Sequence, residues 1–288
     1  MKLATFRLAS RRFVGLVSYD GASVAALSFN ADERGALAMI ELLAAGKGLP
    51  EVTSPALALS AVQLEAPIPR PRRNIFCVGR NYRAHAQELK GSVFKADEKP
   101  IDQWPIIFSK VPETVIGPGA TIRLPSANVT EQIDYEAELA VVIGRGGRNI
   151  TARDAMKHVW GYTVVNDVTA RDVQMRHAQW HLGKSFDTFC PMGPWLVSAD
   201  EVDVRDIRVR CWVNGELRQD APTTDLIFDI PTLIETISRG ITLYPGDLIA
   251  TGTPAGVGMG FDPPRWLKRG DRVRVEIEGV GVLENGVE

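Results

Sequence analysis

The chain has 288 residues, of which 45% are hydrophobic and 24% charged, an ordinary balance for a globular protein that can bury a substantial core. A net charge of −2 and a pI near 6.1 lack the basic footprint that nucleic-acid binding requires. The N-terminus has no signal-peptide core, and no run approaches the roughly 18 apolar residues of a membrane span. We therefore expect a cytoplasmic protein with no nucleic-acid or membrane partner. Its three scattered cysteines should be reduced, buried thiols.

Residues 1–66 are predicted to form a small N-terminal α/β unit. Short strands are expected to turn at Asp20-Gly21. A helix is predicted in residues 33–48, ending at Gly46. Three prolines between Pro67 and Pro71 indicate a linker, so a second domain is predicted over residues 67–288.

The second domain is predicted to be rich in β-structure. Residues 272–277 alternate apolar and charged side chains, as in a half-buried strand, and Asn214-Gly215 is typical of a tight hairpin turn. Helices are expected to begin at Thr151, within a possible capping box, and near Pro231. The fold class predicted is α+β: a mixed, mainly antiparallel β-fold with few helices.

A row of acids precedes a strongly apolar run in the stretch "IDYEAELAVVIG". Asp134, Glu136 and Glu138 recur at every second residue, so one continuous strand would point all three to the same side. Such a face is usually solvated. The alternative is that Glu136 and Glu138 converge on a hard cation such as Mg²⁺, which prefers oxygen ligands.

A further acid follows the apolar strand in "WGYTVVNDVTARDVQ". Asp167 stands where this strand opens into a loop, a common place for a ligand. It could equally cap the following turn. Together with the two glutamates it would give three carboxylates from two strands.

Lys184 lies among small and aromatic residues in "LGKSFDTFCPMGP". A lysine here could stabilise an enolate or a carboxylate, or it could be a solvated surface amine.

The stretch "ATGTPAGVGMG" places four glycines and Thr253 directly after an apolar strand. Its backbone N–H groups could approach an anion closely, although a tight connection between strands would use the same residues. A phosphate loop is disfavoured, because no Lys-Ser/Thr pair or helix pattern follows.

His85 and Glu88 are three residues apart and would meet on a helical turn. A glutamate that orients a histidine makes a general base, while the plain alternative is a surface pair. The polar residues 90–103 that follow resemble a lid, or an ordinary surface loop.

His177 and His181 have the i,i+4 spacing of zinc ligands on a helix. No glutamate follows His177 as in HExxH, and the sequence offers no nearby third nitrogen or sulfur ligand. A scaffold or subunit-interface role is favoured for both.

The order of these segments resembles the fumarylacetoacetate hydrolase family over about residues 70–285. The resemblance rests on "GRNYRAHAQE", "FSKVPETVIGPG", "DYEAELAVVIG", "NDVTARDVQ", "GKSFDTFCPMGP" and "TGTPAGVG". It implies a β-rich fold, a Mg²⁺ or Mn²⁺ site and a homodimer.

The resemblance also implies roles for individual residues. The metal carboxylates would be Glu136, Glu138 and Asp167; the catalytic groups Lys184, His85 and Glu88; and the substrate contacts Arg171, Gln174, Thr253 and Gly252. Asp134 matches no ligand position and is expected either to lie behind the ligands or to be solvated.

The chemistry that this resemblance implies acts on 2-oxo acids. The main expectation is Mg²⁺-dependent hydrolysis of a C–C bond in an acylpyruvate or fumarylpyruvate, with His85 activating a water. One alternative is a decarboxylase or isomerase of the same family, acting on an oxaloacetate- or hydroxymuconate-type acid. Another is a non-catalytic protein that binds a metal or an oxo acid.

Overall fold

The computed structural model describes residues 1–88, 102–176 and 179–288. His177 and nearly all of the polar stretch 90–103 lie outside these ranges, so the predicted lid stays a prediction. None of the described helices is both long and apolar enough to cross a membrane. The cysteines are buried and form no disulfide, as expected.

The described helices are short. They are α1 (Ala36–Ala44), α2 (Arg83–Glu88), α3 (Ala152–Ala155), α4 (Arg171–Met175), α5 (His181–Lys184) and α6 (Ile230–Ser238).

Strands make up most of the regular structure. They are β1 (Lys2–Leu8), β2 (Arg11–Val17), β3 (Ser23–Ala26), β4 (Leu57–Ala58), β5 (Gln63–Leu64), β6 (Ile75–Gly79), β7 (Ile106–Lys110), β8 (Val115–Ile116), β9 (Ile133–Asp134), β10 (Ala137–Ile143), β11 (Val159–Asn166), β12 (Thr169–Ala170), β13 (Cys190–Ser198), β14 (Arg208–Val213), β15 (Glu216–Pro222), β16 (Leu248–Ala250), β17 (Arg272–Ile277) and β18 (Gly281–Gly286).

One large sheet runs in the order β4-β3-β2-β1-β13-β11-β10-β16-β6-β7, with β5 beside β1 and β8 beside β13. Its pairs are antiparallel except β16 with β6 and β13 with β8. Strand β10 lies in the middle and is buried along its whole length, which explains its nearly uninterrupted apolar sequence. The predicted β-rich, mainly antiparallel fold with few helices is confirmed.

The first strands are part of this same sheet, because β1 pairs with β13 through Lys2 and Leu3. The predicted turn at Asp20-Gly21 joins β2 to β3. Helix α1 buries one face, and Gly46 follows it with a φ of 76°. The domain boundary between residues 66 and 67 stays a prediction.

A second sheet has the order β15-β14-β17-β18. Its predicted hairpin turn is confirmed, since Asn214 and Gly215 have φ values of 52° and 82°. Helix α6 is also where the sequence places it, capped by Asp229 on the Thr232 N–H at 2.9 Å. The capping box at Thr151 is not formed, because its hydroxyl donates to the Asp154 side chain instead of meeting a backbone N–H.

The row of acids does not lie on one continuous strand, so that prediction is wrong. The strand breaks at Tyr135 and Glu136, between β9 and β10. The Glu136 N–H donates to the side chain of Asn166 at 3.0 Å rather than to a neighbouring strand, and Asp134 turns toward Arg171. The solvated alternative is also wrong, because all three carboxylates are buried.

Candidate functional site

Glu136, Glu138 and Asp167 come together where β10 and β11 lie side by side. The register pairs Ala137 with Asn166, and the Asp167 N–H donates to the Glu136 carbonyl at 2.8 Å. One oxygen from each carboxylate lies within 4.8 Å of the other two. Asp167 does not cap the following turn, because its two carboxylate oxygens accept from Lys110 and Lys184. These three carboxylates form the acidic triad.

Two buried lysines surround Asp167. Lys184, at the end of α5, donates to Asp167 Oδ2 at 2.7 Å and to Glu136 Oε2 at 2.6 Å. Lys110, the last residue of β7, donates to Asp167 Oδ1 at 2.7 Å, to the Val168 carbonyl and to the carbonyl of Lys184. Lys184 is therefore not a solvated amine. The sequence analysis assigned no role to Lys110, although a lone lysine that ends an apolar strand was a usable signal.

The triad carboxylates differ in their electrostatic surroundings. Burial raises the pKa of Glu138 well above its usual range, and Asp167 and Glu136 raise it further. Burial also opposes ionisation of Glu136, but Lys184 and Arg171 outweigh it and lower that pKa to about 2. Burial would lower the pKa of Lys184, yet Asp167 and Glu136 raise it. The side-chain cations therefore stabilise Glu136 as a carboxylate but leave Glu138 poorly compensated.

This donor set fits a hard divalent cation. The triad offers oxygen ligands only, which suits Mg²⁺ or Mn²⁺, and it is the one cluster of three or more possible ligand side chains in the described parts of the chain. A divalent cation beside Glu138 would compensate the charge of its buried carboxylate.

His181, considered above for its zinc-ligand spacing, is not one of the three triad residues. It lies against Ser109, 3.1 Å from the Ser109 carbonyl oxygen.

Arg171 begins helix α4 and is held on two sides. Its Nε donates to Asp134 at 2.9 Å, and its Nη1 pairs with Glu136 Oε1 at 2.7 Å and meets Gln174 Oε1 at 3.2 Å. Its Nη2 is buried and has no hydrogen-bond partner in the described residues. Gly183 allows α5 to approach α4, because a Cβ there would lie 2.5 Å from the Gln174 nitrogen.

The glycine-rich stretch 252–260 is a loop whose N–H groups bind anions, but those anions are the protein's own carboxylates. Gly252 donates to Glu138 Oε2 at 2.9 Å, Gly256 to Glu88 Oε1 at 3.0 Å and Gly258 to Asp134 Oδ1 at 2.6 Å. We call these residues the glycine loop. Its three carboxylate partners lie on α2, β9 and β10, so the loop connects these elements at the site.

Thr253 in this loop accepts a hydrogen bond from Gln219 Nε2 at 2.7 Å. Gln219 lies on β15, is fully buried and also accepts from the Ala137 N–H at 3.0 Å. The role of this glutamine is not visible in the sequence, because nothing around it separates it from an ordinary hairpin residue.

The predicted contact between His85 and Glu88 is present in α2, with Nδ1 and Oε2 3.1 Å apart. His85 is buried, so the pair is not a surface pair. The helix start is held by Asn81, whose amide donates to the Thr251 and Phe228 carbonyls and accepts from the Phe228 N–H. Asn81 is a second positioning residue that the sequence analysis did not identify.

These side chains line one small cavity. The lining residues among those predicted for the site are His85, Glu136, Glu138, Arg171, Gln174, Lys184 and Thr253. The remaining wall consists of Val78, Gly79, Arg80, Phe108 and Trp180. Asp167, Glu88 and Gly252 stand directly behind this lining through the contacts above. The predicted site residues are thus in one place, and their individual roles remain predictions.

Comparison with known proteins places the chain in a family. A family model described as "Fumarylacetoacetate (FAA) hydrolase C-terminal" matches residues 74–288. The chain therefore belongs to the fumarylacetoacetate hydrolase family and is an enzyme of that family.

Individual relatives are similar over nearly the full length. Oxaloacetate tautomerase YisK of Bacillus subtilis (strain 168) is 44% identical over 308 aligned residues, covering 100% of both chains. The solved structure of a fumarylacetoacetate hydrolase from Exiguobacterium antarcticum has a TM-score of 0.85 and 39% identity, covering 100% of this chain and 99% of that one. The 5-carboxymethyl-2-hydroxymuconate delta-isomerase of Mycobacterium smegmatis gives 0.79 and 35%, with the same coverage.

Proposed function

We propose that this protein is a Mg²⁺-dependent tautomerase that interconverts the enol and keto forms of a small 2-oxo dicarboxylic acid of the oxaloacetate type. The support that carries this proposal is the full-length relative named as an oxaloacetate tautomerase, taken with the buried acidic triad. The isomerase alternative is thus favoured over the hydrolysis that the sequence analysis placed first.

The charge around the cavity favours such a substrate. The described residues around it include four buried carboxylates and three buried side-chain cations. The carboxylates are those of Asp134, Glu136, Glu138 and Asp167, and the cations are Lys110, Arg171 and Lys184. A divalent cation would make the sum positive, which favours an anionic acid. Arg80 also lines the cavity and adds positive charge for a second carboxylate.

The substrate carboxylate next to the oxo group would meet Arg171, Gln174 and Thr253. The buried Nη2 of Arg171 is a donor suited to a carboxylate oxygen. A divalent cation held by Glu136, Glu138 and Asp167 would supply Lewis acidity at the C2 oxygen. The Lys184 ammonium would donate a hydrogen bond to that oxygen as its negative charge grows.

The proton transfer at C3 falls to His85. With Glu88 accepting the proton of Nδ1, the lone pair of Nε2 is available as the base. In enol formation His85 would take the C3 proton and later release it to solvent, while the C2 oxygen would take up a proton from solvent; ketonisation is the reverse. Glu88 would orient the ring and stabilise the imidazolium while the proton resides there.

The test is a comparison of three activities of the purified full chain with saturating Mg²⁺. They are ketonisation of enol-oxaloacetate, release of pyruvate from oxaloacetate, and hydrolysis of acylpyruvates. We expect ketonisation to be the fastest by at least about tenfold, because it needs no attacking water and breaks no C–C bond. Acylpyruvate hydrolysis that exceeds ketonisation would overturn the proposal and restore the hydrolase interpretation.

A further inference from the structure

Asp134 is a buried acid that is not part of the acidic triad. Its carboxylate accepts four hydrogen bonds. Oδ1 accepts from the N–H groups of Tyr135 at 2.9 Å and Gly258 at 2.6 Å. Oδ2 accepts from Met259 N–H at 3.0 Å and from Arg171 Nε at 2.9 Å. A carboxylate with this many donors is fixed in one orientation.

Through this fixed carboxylate, Asp134 determines how Arg171 is presented. The guanidinium is planar, so anchoring Nε on Asp134 and Nη1 on Glu136 fixes the direction of the remaining nitrogen. That nitrogen, Nη2, has no hydrogen-bond partner in the described residues and is buried. A buried donor of this kind is costly unless it meets an acceptor, and Arg171 lines the cavity, where a ligand oxygen can supply one.

Asp134 also keeps Arg171 from depending on a triad carboxylate alone. Without Asp134, the only carboxylate among the described residues that pairs with Arg171 would be Glu136. Arg171 would then be held through Nη1 alone, by Glu136 and Gln174, and its Nε would lose its anchor.

The same carboxylate fastens the glycine loop. Close approach requires a glycine at position 258, since a Cβ there would lie 2.8 Å from Asp134 Oδ1 and 2.3 Å from the Arg265 carbonyl oxygen. The loop in turn presents Gly256 to Glu88 and carries Thr253. One buried acid therefore holds both Arg171 and the loop that carries Thr253, two residues that line the same cavity.

We propose that Asp134 is a positioning residue that acts through Arg171 to make the site select metal-chelating ligands bearing a carboxylate. This rests on the proposed function only in taking a 2-oxo acid as the natural ligand. Asp134 touches neither substrate nor metal in this account; it sets the direction of Arg171 Nη2.

The test uses two chelators of similar size, oxalate and acetohydroxamate. Both offer two oxygens to a metal, but only oxalate carries carboxylate oxygens that can reach Arg171. Affinities are measured by calorimetry on the full chain with saturating Mg²⁺, without turnover. Asp134→Asn removes the charge, and Asp134→Glu keeps it but moves it by one methylene. We expect both variants to bind oxalate at least about tenfold more weakly, with acetohydroxamate changed less than about threefold.

A double-mutant comparison separates action through Arg171 from general damage. Arg171→Met should show the same selective loss of oxalate, and adding Asp134→Asn to it should cause little further loss. Unchanged oxalate affinity in a folded Asp134 variant would overturn the proposal. So would equal loss of both chelators, full additivity in the double variant, or normal oxalate binding by Arg171→Met. Because only binding is measured, absence of tautomerase activity would overturn the proposed function without deciding this test.

Discussion

Asp167 has a lysine ammonium on each carboxylate oxygen, Lys110 on one and Lys184 on the other. Within the described residues Glu138 has no such side-chain partner, and it accepts a hydrogen bond from the Gly252 N–H. The negative charge that no lysine compensates is therefore the one on Glu138. This difference between chemically similar residues gives the metal proposal its first test.

Glu138→Gln should abolish the rise in Tm that Mg²⁺ produces in the wild-type protein, because a neutral amide is a poor ligand for this ion. Without metal, the variant should be at least as stable as the wild type, since burial and the neighbouring acids raise the Glu138 pKa and disfavour its charge. Thermal unfolding with EDTA and with added Mg²⁺ measures both effects. A full Mg²⁺ shift in the variant would count against the triad as the metal site.

His85→Ala should reduce ketonisation of enol-oxaloacetate by at least about 100-fold, the lower end of what general acid–base groups contribute. The Mg²⁺-induced Tm shift should persist, because His85 is not in the triad. The matched control is His158→Ala, whose ring lies 2.7 Å from the Arg145 carbonyl oxygen and should leave the rate unchanged. A wild-type rate in His85→Ala would place the base elsewhere.

The sequence identified the residue types of this site better than their surroundings. Acids before a buried strand and a His-Glu pair at helical spacing were visible in the pattern, and the family resemblance supplied their proposed roles. Gln219 and Asn81 were missed because each acts through partners distant in the chain. No local periodicity encodes such contacts.

At the scale of elements, the glycine loop brings separate parts of the site together. It follows the short buried strand β16, beside β10 and β6 in the sheet, and reaches back to the acids of β9 and β10 and to α2. The sequence allowed its N–H groups to approach an anion, with a tight connection between strands as the alternative. It could not show that these anions are side chains of the protein, because their positions depend on how distant elements pack.

Gly260→Ala should lower ketonisation through Glu88. A Cβ at this position would lie 2.0 Å from Glu88 Oε1, so the carboxylate must move away from the position in which it contacts His85. We expect a fall in kcat of about tenfold, with Mg²⁺ affinity unchanged.

Gly240→Ala is the matched control for this variant, since its new Cβ would meet nothing within 4 Å. Equal rates for the two variants and the wild type would show that Glu88 does not depend on the loop.

The broken acidic strand shows where pattern reasoning at this scale fails. Alternation predicted one strand from Asp134 to Ile143, and the structure divides it at Tyr135 and Glu136. The reason is tertiary: the side chain of Asn166 takes the Glu136 N–H, and Asp134 is drawn to Arg171 and the glycine loop. Both alternating sets of side chains are buried here, so alternation gave neither the burial of the acids nor the donors that they meet.

At the scale of the whole molecule, the N-terminal strands extend the sheet that carries the site. Glu65 helps to hold β1 and β2 together, because it pairs with Arg7 on β1 at 2.7 Å and with Arg12 on β2. Its side chain is only 17% exposed. Burial opposes its ionisation, but Arg12 and Arg7 outweigh burial and lower the Glu65 pKa.

The homodimer implied by the family resemblance stays a prediction, which light scattering of the purified chain would check.

Glu65→Gln should lower the urea midpoint at pH 7. A carboxyl group whose pKa is lowered by folding stabilises the folded state above its unfolded pKa, near 4.3 for glutamate. That contribution is lost as the pH falls through the lower folded pKa, so the difference from wild type should shrink in this range. The control is Glu33→Gln, whose pair with Arg70 is exposed. A difference that stays constant down to pH 3 would contradict this assignment.

The central claim is that the acidic triad holds a divalent cation for the tautomerisation of a small 2-oxo acid. The most direct test follows the decay of enol-oxaloacetate absorbance during a Mg²⁺ titration of the EDTA-treated, dialysed protein. Each Mg²⁺ concentration needs a blank without protein, because the free ion also promotes the reaction. We predict saturable acceleration by the wild type and a rate at the blank level for Glu138→Gln. Undiminished acceleration by the chelated wild type, or by Glu138→Gln, would contradict the claim.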